Sequence, residues 1–291
     1  MRTCSAARSK TCARLPPEAP RLTVVGSVNL DLVTRTERLP RPGETVTDAT
    51  FDRYPGGKGA NQAVAAARLG ADVTFFASVG EDALADEALA GLLEAGVELH
   101  LSKAEAPTGI ASIMVDEAGE NVIVVAPGAN RQLQPPALAG DETVLCQLEI
   151  AVETVAACAE AAASFWLNAA PAVPVPAALV ERAEVVVANR YELDALPVAP
   201  ALAVLTLGED GAVLLEDGRE VERARPPRVE VADGTAAGDA FTACLVVSRL
   251  ESRPWDEALQ RSCAGGALAA SRLGAQPSLP TAAEIDEILT A

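Results

Sequence analysis

The sequence has 291 residues, with 23 Lys or Arg, 41 Asp or Glu and one His, so its formal net charge is −18. Its hydrophobic content of 49% and charged content of 22% are typical of a globular protein with a large core. The acidic excess argues against nucleic acid and anionic membranes as partners, and the single histidine, His100, excludes a histidine-rich metal site. Six dispersed cysteines without a C-x-x-C pair indicate reduced thiols and a cytoplasmic location.

The first 21 residues differ in composition from the rest of the chain. Arg and Lys are set among Ala, Ser, Thr, Cys and Pro, and Glu18 is the only acid. A transit peptide has this composition, but so does a disordered extension or a start site placed too early. We expect a disordered extension over residues 1–21 and a folded domain over residues 22–291.

The first half of the folded part alternates strands and helices. A short apolar strand covers 22–26, and turn signals within 31–55 favour short antiparallel strands. A helix is predicted over 59–69, a strand over 73–79 and a helix over 82–95. This order is typical of a parallel sheet with helices packed on it. Residues 108–126 instead read as a hairpin around a polar turn.

The alternation then resumes. The predicted strands are 143–148, 164–168, 184–188, 203–207 and 211–215, and the predicted helices are 152–163, 176–182, 239–250, 255–272 and 281–290. Residues 281–284 form a capping box at the start of the last helix. The pattern predicts an α/β fold, with a small β-sheet lid built from residues 31–55 and 108–126.

The segment from Val229 to Leu245 carries the strongest chemical signal. A predicted strand leads into a loop of small residues (Ala236, Ala237, Gly238), and the loop leads into an apolar helix. The first amides of a helix lack partners, and small side chains let a phosphate approach them. Asp239 is therefore a candidate base for a hydroxyl that attacks a phosphate, but an Asp at a helix start is also an ordinary N-cap.

Two further segments carry polar groups next to glycines. Tyr54–Ala63 contains Gly56-Gly57-Lys58, a flexible joint with a cation that opens a helix; a plain glycine-rich helix entry explains it equally well. Asn29 and Asp31 lie just past a strand end, where side chains can hold sugar hydroxyls, although both are common turn residues.

The three segments occur together in the order of a known family. GSVNLDLV, GGKGANQAVAAARLGA, TGIA, GENVIVVAPGAN, TLGEDG and AAGDAF make the chain resemble the ribokinase-like, or phosphofructokinase-B-type, carbohydrate kinases from about Leu22 to Ile288. GGKGANQA is typical of the ribokinase branch. The resemblance implies a three-layer α/β/α fold with a central, mostly parallel sheet and a small β-sheet lid.

The resemblance also implies roles for individual residues. It makes Asp239 the base and the amides of Ala236, Ala237 and Gly238 an anion hole for the γ-phosphoryl group. The implied sugar contacts are Asn29, Asp31, Gly56, Gly57, Lys58, Asn61, Glu149 and Asp239. The implied ATP contacts are Asn189, Thr206, Gly208, Glu209, Gly211 and Gly238. Mg²⁺ would be held, mostly through water, by Asn189 and Glu192, and K⁺ by Asp233, Thr235, Ala269, Arg272, Gly274 and Ser278.

The sequence departs from the family pattern at a few positions. Gly234 replaces the usual Thr and loosens the anion-hole loop, and Ala188 replaces the usual Pro before Asn189. Residues 193–202 are shorter than the connection, with its helix, that relatives have there.

The implied activity is ATP-dependent phosphorylation of D-ribose at its 5-hydroxyl, with Mg-ATP and a K⁺ activator, in a cytoplasmic homodimer paired through the lid. Two alternatives remain. One is a kinase for another pentose or a nucleoside, and the other is a catalytically weak sugar-binding paralogue.

Overall fold

The computed structural model describes residues 19–290, and these form thirteen strands and eight α-helices. The strands are β1 (Arg21–Val25), β2 (Asn29–Arg35), β3 (Thr50–Gly56), β4 (Asp72–Gly80), β5 (Glu98–Ala104), β6 (Gly109–Val115), β7 (Asn121–Ala126), β8 (Thr143–Gln147), β9 (Ser164–Asn168), β10 (Val185–Asn189), β11 (Leu202–Thr206), β12 (Ala212–Glu216) and β13 (Arg219–Ala224). The helices are α1 (Lys58–Arg68), α2 (Ala83–Glu94), α3 (Val152–Ala161), α4 (Ala177–Arg182), α5 (Arg190–Asp194), α6 (Ala237–Leu250), α7 (Trp255–Ala270) and α8 (Ala282–Thr290).

Nine strands form the central sheet, in the order β13-β12-β11-β10-β9-β8-β1-β4-β5. Pairing is parallel from β11 to β5, and β12 and β13 extend the sheet as an antiparallel hairpin. One core joins the sheet to α1, α2, α6, α7 and α8, and a second joins its other face to α3, α4 and α5. The three-layer α/β/α fold is confirmed.

Four strands form a separate small sheet in the order β3-β2-β6-β7. β2 pairs with β3 antiparallel and with β6 parallel, and β6 and β7 form the predicted hairpin. Its own small core contains Val33, Ala111 and Ile113. The prediction of a second sheet from two early stretches is confirmed.

The strand predicted before the anion-hole loop is wrong. Residues 229–232 form no strand, although Val229 and Val231 alternate with polar residues. The N–H groups of Ala232 and Asp233 donate instead to the carbonyl oxygen of Ala270, at the end of α7. The segment therefore crosses the end of a helix, where no strand lies beside it.

Three elements are absent from the predicted list, and the first is β5, a short strand with several polar residues. α5 has only five residues, too few to show helical periodicity, although Asn189 and Glu192 form a capping box at its start. β13 is a mostly exposed edge strand without apolar alternation, and it follows a turn at Asp217-Gly218, where φ is positive at both residues.

Other expectations are met. Thr281 and Glu284 exchange the hydrogen bonds of the predicted capping box. His100 is exposed on β5 and stacks on Phe76 with ring centroids 4.7 Å apart. Cys146, Cys158, Cys244 and Cys263 are buried free thiols. The first strand begins at Arg21, inside the expected extension 1–21, and residues 1–18 of that extension fall outside the described residues, as do Cys4 and Cys12. Within residues 19–290, every helix is too short or too polar to cross a membrane.

Candidate active site

The candidate site lies at the carboxyl ends of the parallel strands, where open α/β sheets bind ligands. Ser27 follows β1, Glu149 follows β8, and Asn168 ends β9. The N-terminal ends of α1 and α6 face these residues and bring Lys58 and Asp239 to the same place. All three segments singled out in the sequence meet here, because Asn29 and Asp31 on β2 lie against Gly57 and Gly56.

Asp239 lies in the first turn of α6 and is buried. Helix α6 begins at Ala237, two residues earlier than predicted, so the N-cap is Ala236 and Asp239 is not the cap. Its carboxylate accepts hydrogen bonds from Asn61 Nδ2 and Gln62 Nε2, both 2.9 Å long. Burial raises the pKa of Asp239, and the Lys58 ammonium and the two amides oppose that shift. A buried carboxylate with a raised pKa and two fixed amide donors is a candidate for a functional group.

Lys58 opens α1 among acidic side chains. Burial lowers the pKa of Lys58, but the carboxylates of Asp239, Glu149, Glu192 and Asp31 outweigh burial, so the net shift is upward. The ammonium group therefore stays charged at neutral pH. It gives an acidic protein a fixed positive charge among the carboxylates of this site.

Glu149 connects the end of β8 to the start of α1. Its Oε2 accepts from Ser27 Oγ (2.5 Å) and from the backbone N–H of Lys58 (3.0 Å). A carboxylate at the N-terminus of a helix is favoured by the helix dipole. These bonds fix the entry of α1 against the sheet.

The polar residues of β2 are also buried. Asn29 Oδ1 accepts from Asn130 Nδ2 at 2.8 Å, and the amide of Asn130 also exchanges hydrogen bonds with the Val28 backbone. Asp31 is 6% exposed, and burial, followed by the charges of Glu149 and Asp239, raises its pKa to about 7. Three carboxyl groups therefore share one partly desolvated space with one lysine.

Gly56 and Gly57 join the small sheet to α1. Gly57 has φ of 91°, and a Cβ there would lie 2.8 Å from Asn29 N and 2.9 Å from Ser27 O. A Cβ on Gly56 would collide with the Asp31 carboxylate. Both positions require glycine because the chain turns here in close contact with residues of the site.

A cavity of about 750 Å³ opens beside the first turn of α6. Its lining includes five of the six residues predicted to contact ATP, together with Phe241 from α6, residues 226–229 and Val231; the five are Thr206, Gly208, Glu209, Gly211 and Gly238. Gly211 has φ of 91°, and a Cβ there would collide with the backbone carbonyl of Ala224. Among the predicted ATP contacts, Asn189 is absent from this lining.

The loop before α6 is held by Asp233. Its Oδ1 accepts from the N–H and hydroxyl of Thr235, and its Oδ2 accepts from Gly274 N at 3.0 Å. The Ala237 amide, one of three predicted anion-hole donors, bonds to Gly234 O at 3.2 Å. A Cβ at Gly234 would meet nothing within 4 Å, so the departure from the family's Thr leaves open space.

The other residues predicted to hold K⁺ lie at the end of α7 and in the segment between α7 and α8. Ala269 lies at the end of α7, and its carbonyl accepts from Arg272 N. The Arg272 guanidinium pairs with Glu284 at 2.6 Å, and Ser278 Oγ donates to Ala275 O. Arg272 therefore has a structural role in joining the end of α7 to α8.

The residues predicted to hold Mg²⁺ bond mainly to each other. Asn189 Oδ1 accepts from Glu192 N (2.9 Å), and Glu192 Oε2 accepts from Asn189 N (2.8 Å). Within residues 19–290, no three His, Cys, Asp or Glu side chains are grouped to hold a metal directly. The mutual bonds of Asn189 and Glu192 are compatible with a Mg²⁺ ion held mainly through water and phosphate oxygens, its usual mode at nucleotide sites.

Comparison with known proteins identifies the family. A model described as pfkB family carbohydrate kinase matches residues 19–282. The chain belongs to this family. It is 35% identical to a ribokinase of Bacillus subtilis over 290 residues, covering 92% of this chain and 98% of that protein.

Two solved structures share the fold of this pfkB family member. A ribokinase of Thermotoga maritima has a TM-score of 0.84 at 28% identity, covering 93% of this chain and 99% of that one. The Arabidopsis thaliana ribokinase, solved with ribose and ATP, has a TM-score of 0.81 at 29% identity, covering 94% and 99%. As a pfkB carbohydrate kinase, the chain is a phosphotransferase.

Sequence reasoning missed a layer of buried polar residues in the site. Ser27, Gln62, Asn130, Gln147 and Asn168 are all buried and bond to predicted site residues or to one another. Their position gives a usable signal, because Ser27, Gln147 and Asn168 all stand at the carboxyl ends of apolar strands.

Proposed function

We propose that the protein transfers the γ-phosphoryl group of ATP to the 5-hydroxyl of D-ribose. The carrying observation is the Asp239 carboxylate, buried at the start of α6 and oriented by two amides beside the Lys58 ammonium. The name of the B. subtilis relative and the ribose and ATP of the Arabidopsis structure support the choice of substrates.

In the proposed reaction, Asp239 accepts the proton of the 5-hydroxyl as that oxygen bonds to the γ-phosphorus. The bond from the γ-phosphorus to the bridging oxygen breaks, and ADP leaves with that electron pair. The N-terminal amides of α6 stabilise the charge on the transferring group, and Lys58 adds a cation. Asn189 and Glu192 are suited to hold Mg²⁺ through water, and the ion would supply positive charge that neutralises the phosphates.

Residues of the small sheet and α1 form the proposed sugar site. Asn61 Oδ1 is buried without a hydrogen-bond partner among the described residues, so it is an acceptor suited to a sugar hydroxyl. Asp31, Asn29 and Glu149 supply further acceptors, and Gly56-Gly57 is the joint about which the small sheet closes over the sugar. Closure would exclude water, which competes with the sugar for the phosphoryl group.

We also propose that K⁺ binds beside the loop 233–238 and stiffens it. The Asp233 carboxylate already bonds to Thr235 and Gly274, which brings the loop and the segment after α7 together. A monovalent cation among the carbonyl and hydroxyl oxygens of this region would hold the anion-hole amides in place. Gly234 makes such support more valuable, because glycine gives the loop more freedom.

The test measures ADP release with D-ribose, ATP and Mg²⁺, with and without K⁺, for the wild-type protein and Asp239→Asn. We expect ribose-dependent turnover that K⁺ increases and that Asp239→Asn lowers on the order of a thousandfold. Ribose binding in a thermal shift assay without turnover would overturn the kinase and leave a sugar-binding paralogue. Turnover only with another pentose or a nucleoside would reassign the substrate.

We propose a cytoplasmic homodimer that pairs through the small sheet. Six of the eleven large apolar side chains most exposed in the described residues lie on this sheet, so it carries the main exposed apolar patch (Phe51, Met114, Val122, Ile123, Val124, Val125). Every residue of β7 is exposed, and β7 is an edge strand with open backbone groups. The four buried free thiols fit a reducing compartment.

A further inference from the structure

Gln62 is a buried glutamine on α1 whose side chain reaches Asp239. It is 0% exposed, and its Nε2 donates to Asp239 Oδ1 at 2.9 Å. The same nitrogen donates to Asn168 Oδ1, also at 2.9 Å, so both of its hydrogens have acceptors. Asn61, the preceding residue, donates to the other carboxylate oxygen. Two consecutive residues of α1 therefore fix both oxygens of the carboxylate.

The Gln62 amide is itself held by the central sheet. Gln147 Nε2 donates to Gln62 Oε1 at 2.6 Å, and Asn168 Nδ2 donates to the carbonyl oxygen of Val187. Gln147 and Asn168 are paired across neighbouring strands β8 and β9 at their carboxyl ends. The chain of hydrogen bonds thus runs from three sheet strands, through one glutamine, to the carboxylate.

This network permits only one orientation of the Gln62 amide. If the amide were turned over, its oxygen would face the Asp239 carboxylate and the Asn168 oxygen, and its nitrogen would face the Gln147 donor. Three hydrogen bonds would be lost in a buried space, where each unmet polar group is costly. The Nε2 group of Gln62 is therefore held in the orientation in which it donates to Asp239.

We propose that Gln62 is a positioning residue for the proposed base. Its amide, fixed by Gln147 and Asn168, sets the orientation of the Asp239 carboxylate and leaves its remaining lone pairs for the attacking hydroxyl. A carboxylate has about four acceptor sites, so two amide bonds still leave room for the substrate's proton. The inference rests on the proposed function, because it concerns the same base.

The charge around Asp239 gives the inference a measurable consequence. The charged groups that act on it are Lys58 on α1, Asp31 on β2 and Glu149 after β8. Amide donors stabilise the ionised form of a buried carboxylate, and removal of one raises its pKa. Since the base must be ionised to accept a proton, the acidic limb of the pH–rate profile must then move to higher pH.

The test compares pH–rate profiles of the wild-type protein and Gln62→Met, which keeps the side-chain length and removes the amide. We expect the acidic limb of kcat to move up by about 1 pH unit, because one hydrogen bond to a charged group is lost. Above that limb, we expect kcat to be lowered roughly tenfold or more by misorientation, with the KM for ribose changed less than about threefold.

Thr154→Val is the matched control. Thr154 is also buried, and it lies on α3, on the other side of the central sheet from α1. Its hydroxyl donates to Leu133 O at 2.7 Å. This substitution removes a buried hydrogen bond outside the network around Gln62. The free energy of unfolding is therefore expected to fall, while the pH dependence of kcat stays unchanged. An identical acidic limb in Gln62→Met and Thr154→Val would overturn the inference.

Two further measurements keep the outcome decisive. If Gln62→Met fails to fold, Gln147→Met takes its place. We expect Gln147→Met to move the acidic limb of kcat to higher pH by a smaller amount, and an acidic limb equal to that of wild type would overturn the inference. If the wild-type protein does not turn over ribose, the proposed function fails, and a carbon-13 titration of the Asp239 carboxyl tests the network separately. A higher pKa of Asp239 in the variant supports the network, and an equal pKa overturns it.

Discussion

Asp31 and Asp239 are both buried, and their carboxyl groups raise each other's pKa as neighbouring charges in one small space. Asp239 has compensating donors from Asn61 and Gln62. For Asp31, burial and the charges of Glu149 and Asp239 prevail over the Lys58 ammonium and bring the pKa to about 7. The two residues therefore suit different tasks: two amide donors orient Asp239 as the proposed base, and Asp31 is a group that changes charge near neutral pH.

Asp31→Asn is expected to make the protein more stable relative to wild type as pH rises. The folded-state pKa of Asp31 lies above its unfolded value, so its contribution to stability is full below about pH 4 and is lost as pH rises to about 7. Asparagine does not ionise. The unfolding free energy of the variant minus that of wild type, measured with urea, should be higher at pH 8 than at pH 4 by on the order of 4 kcal/mol.

Asp82→Asn is the control of opposite sign. Its carboxylate accepts from the backbone N–H groups of Thr108, Leu84 and Ala85, which outweigh burial and lower its pKa. Ionisation of Asp82 thus stabilises the wild-type protein in full above the unfolded pKa of about 4, and this stabilisation is lost as pH falls through the folded pKa. The unfolding free energy of Asp82→Asn, relative to wild type, should therefore fall as pH rises to about 4 and stay level from pH 4 to pH 8. Equal trends in both variants would contradict this assignment of the Asp31 pKa.

At the scale of elements, the sequence is most informative where a pattern is long or chemically distinctive. The alternation of apolar strands and helices predicted the central sheet, and Gly56-Gly57-Lys58 predicted the start of α1 within one residue. The prediction of a strand at 229–232 failed because alternating valines form a strand only beside a partner strand. Here the end of α7 accepts the hydrogen bonds of the segment instead. Tertiary context decided that segment.

The candidate site follows the same division. Residues in glycine-flanked motifs, such as Lys58 and Asp239, could be selected from the sequence with their chemistry. Gln62 could not, because the GGKGANQA motif does not show which of its side chains reaches Asp239, and Gln147 carried only the general signal of a polar residue at the end of an apolar strand. Their importance depends on distances between residues 85 to 177 positions apart, which only the folded chain shows.

Gly57→Ala tests the joint between the small sheet and α1. The variant must place alanine at φ of 91° and its Cβ against backbone atoms of Asn29 and Ser27. Gly70→Ala, at the other end of α1, has φ of 95° but nothing within 4 Å of the added Cβ. Urea unfolding should give a loss of about 1–2 kcal/mol for Gly70→Ala and a larger loss for Gly57→Ala.

The two glycine variants should also differ in their KM for ribose. Gly57→Ala displaces Asn29 and Lys58, so the KM for ribose is expected to rise at least tenfold, while Gly70→Ala leaves it unchanged. Equal losses of stability and equal KM values in the two variants would show that only the backbone angle matters at Gly57.

At the scale of the whole molecule, the two sheets differ in how their edges are treated. The edge strand β13 of the central sheet carries charged residues along its exposed length, including Arg219, Glu220 and Glu222. Charged edges resist pairing with another chain. The edge strand β7 of the small sheet is exposed but apolar from Val122 to Ala126, so it lacks this protection.

Val124→Glu is expected to convert the proposed homodimer into a monomer. Val124 is 64% exposed on β7, and a two-fold dimer through the small sheet would place two added carboxylates in one apolar interface of an already acidic protein. Val221→Glu is the control. Val221 is 50% exposed on β13, the charged edge strand of the central sheet, so the same added charge there should leave the dimer intact. Light scattering at micromolar concentration gives the masses. A wild-type monomer would refute the dimer, and a dimer that survives Val124→Glu but not Val221→Glu would move the interface to the central sheet.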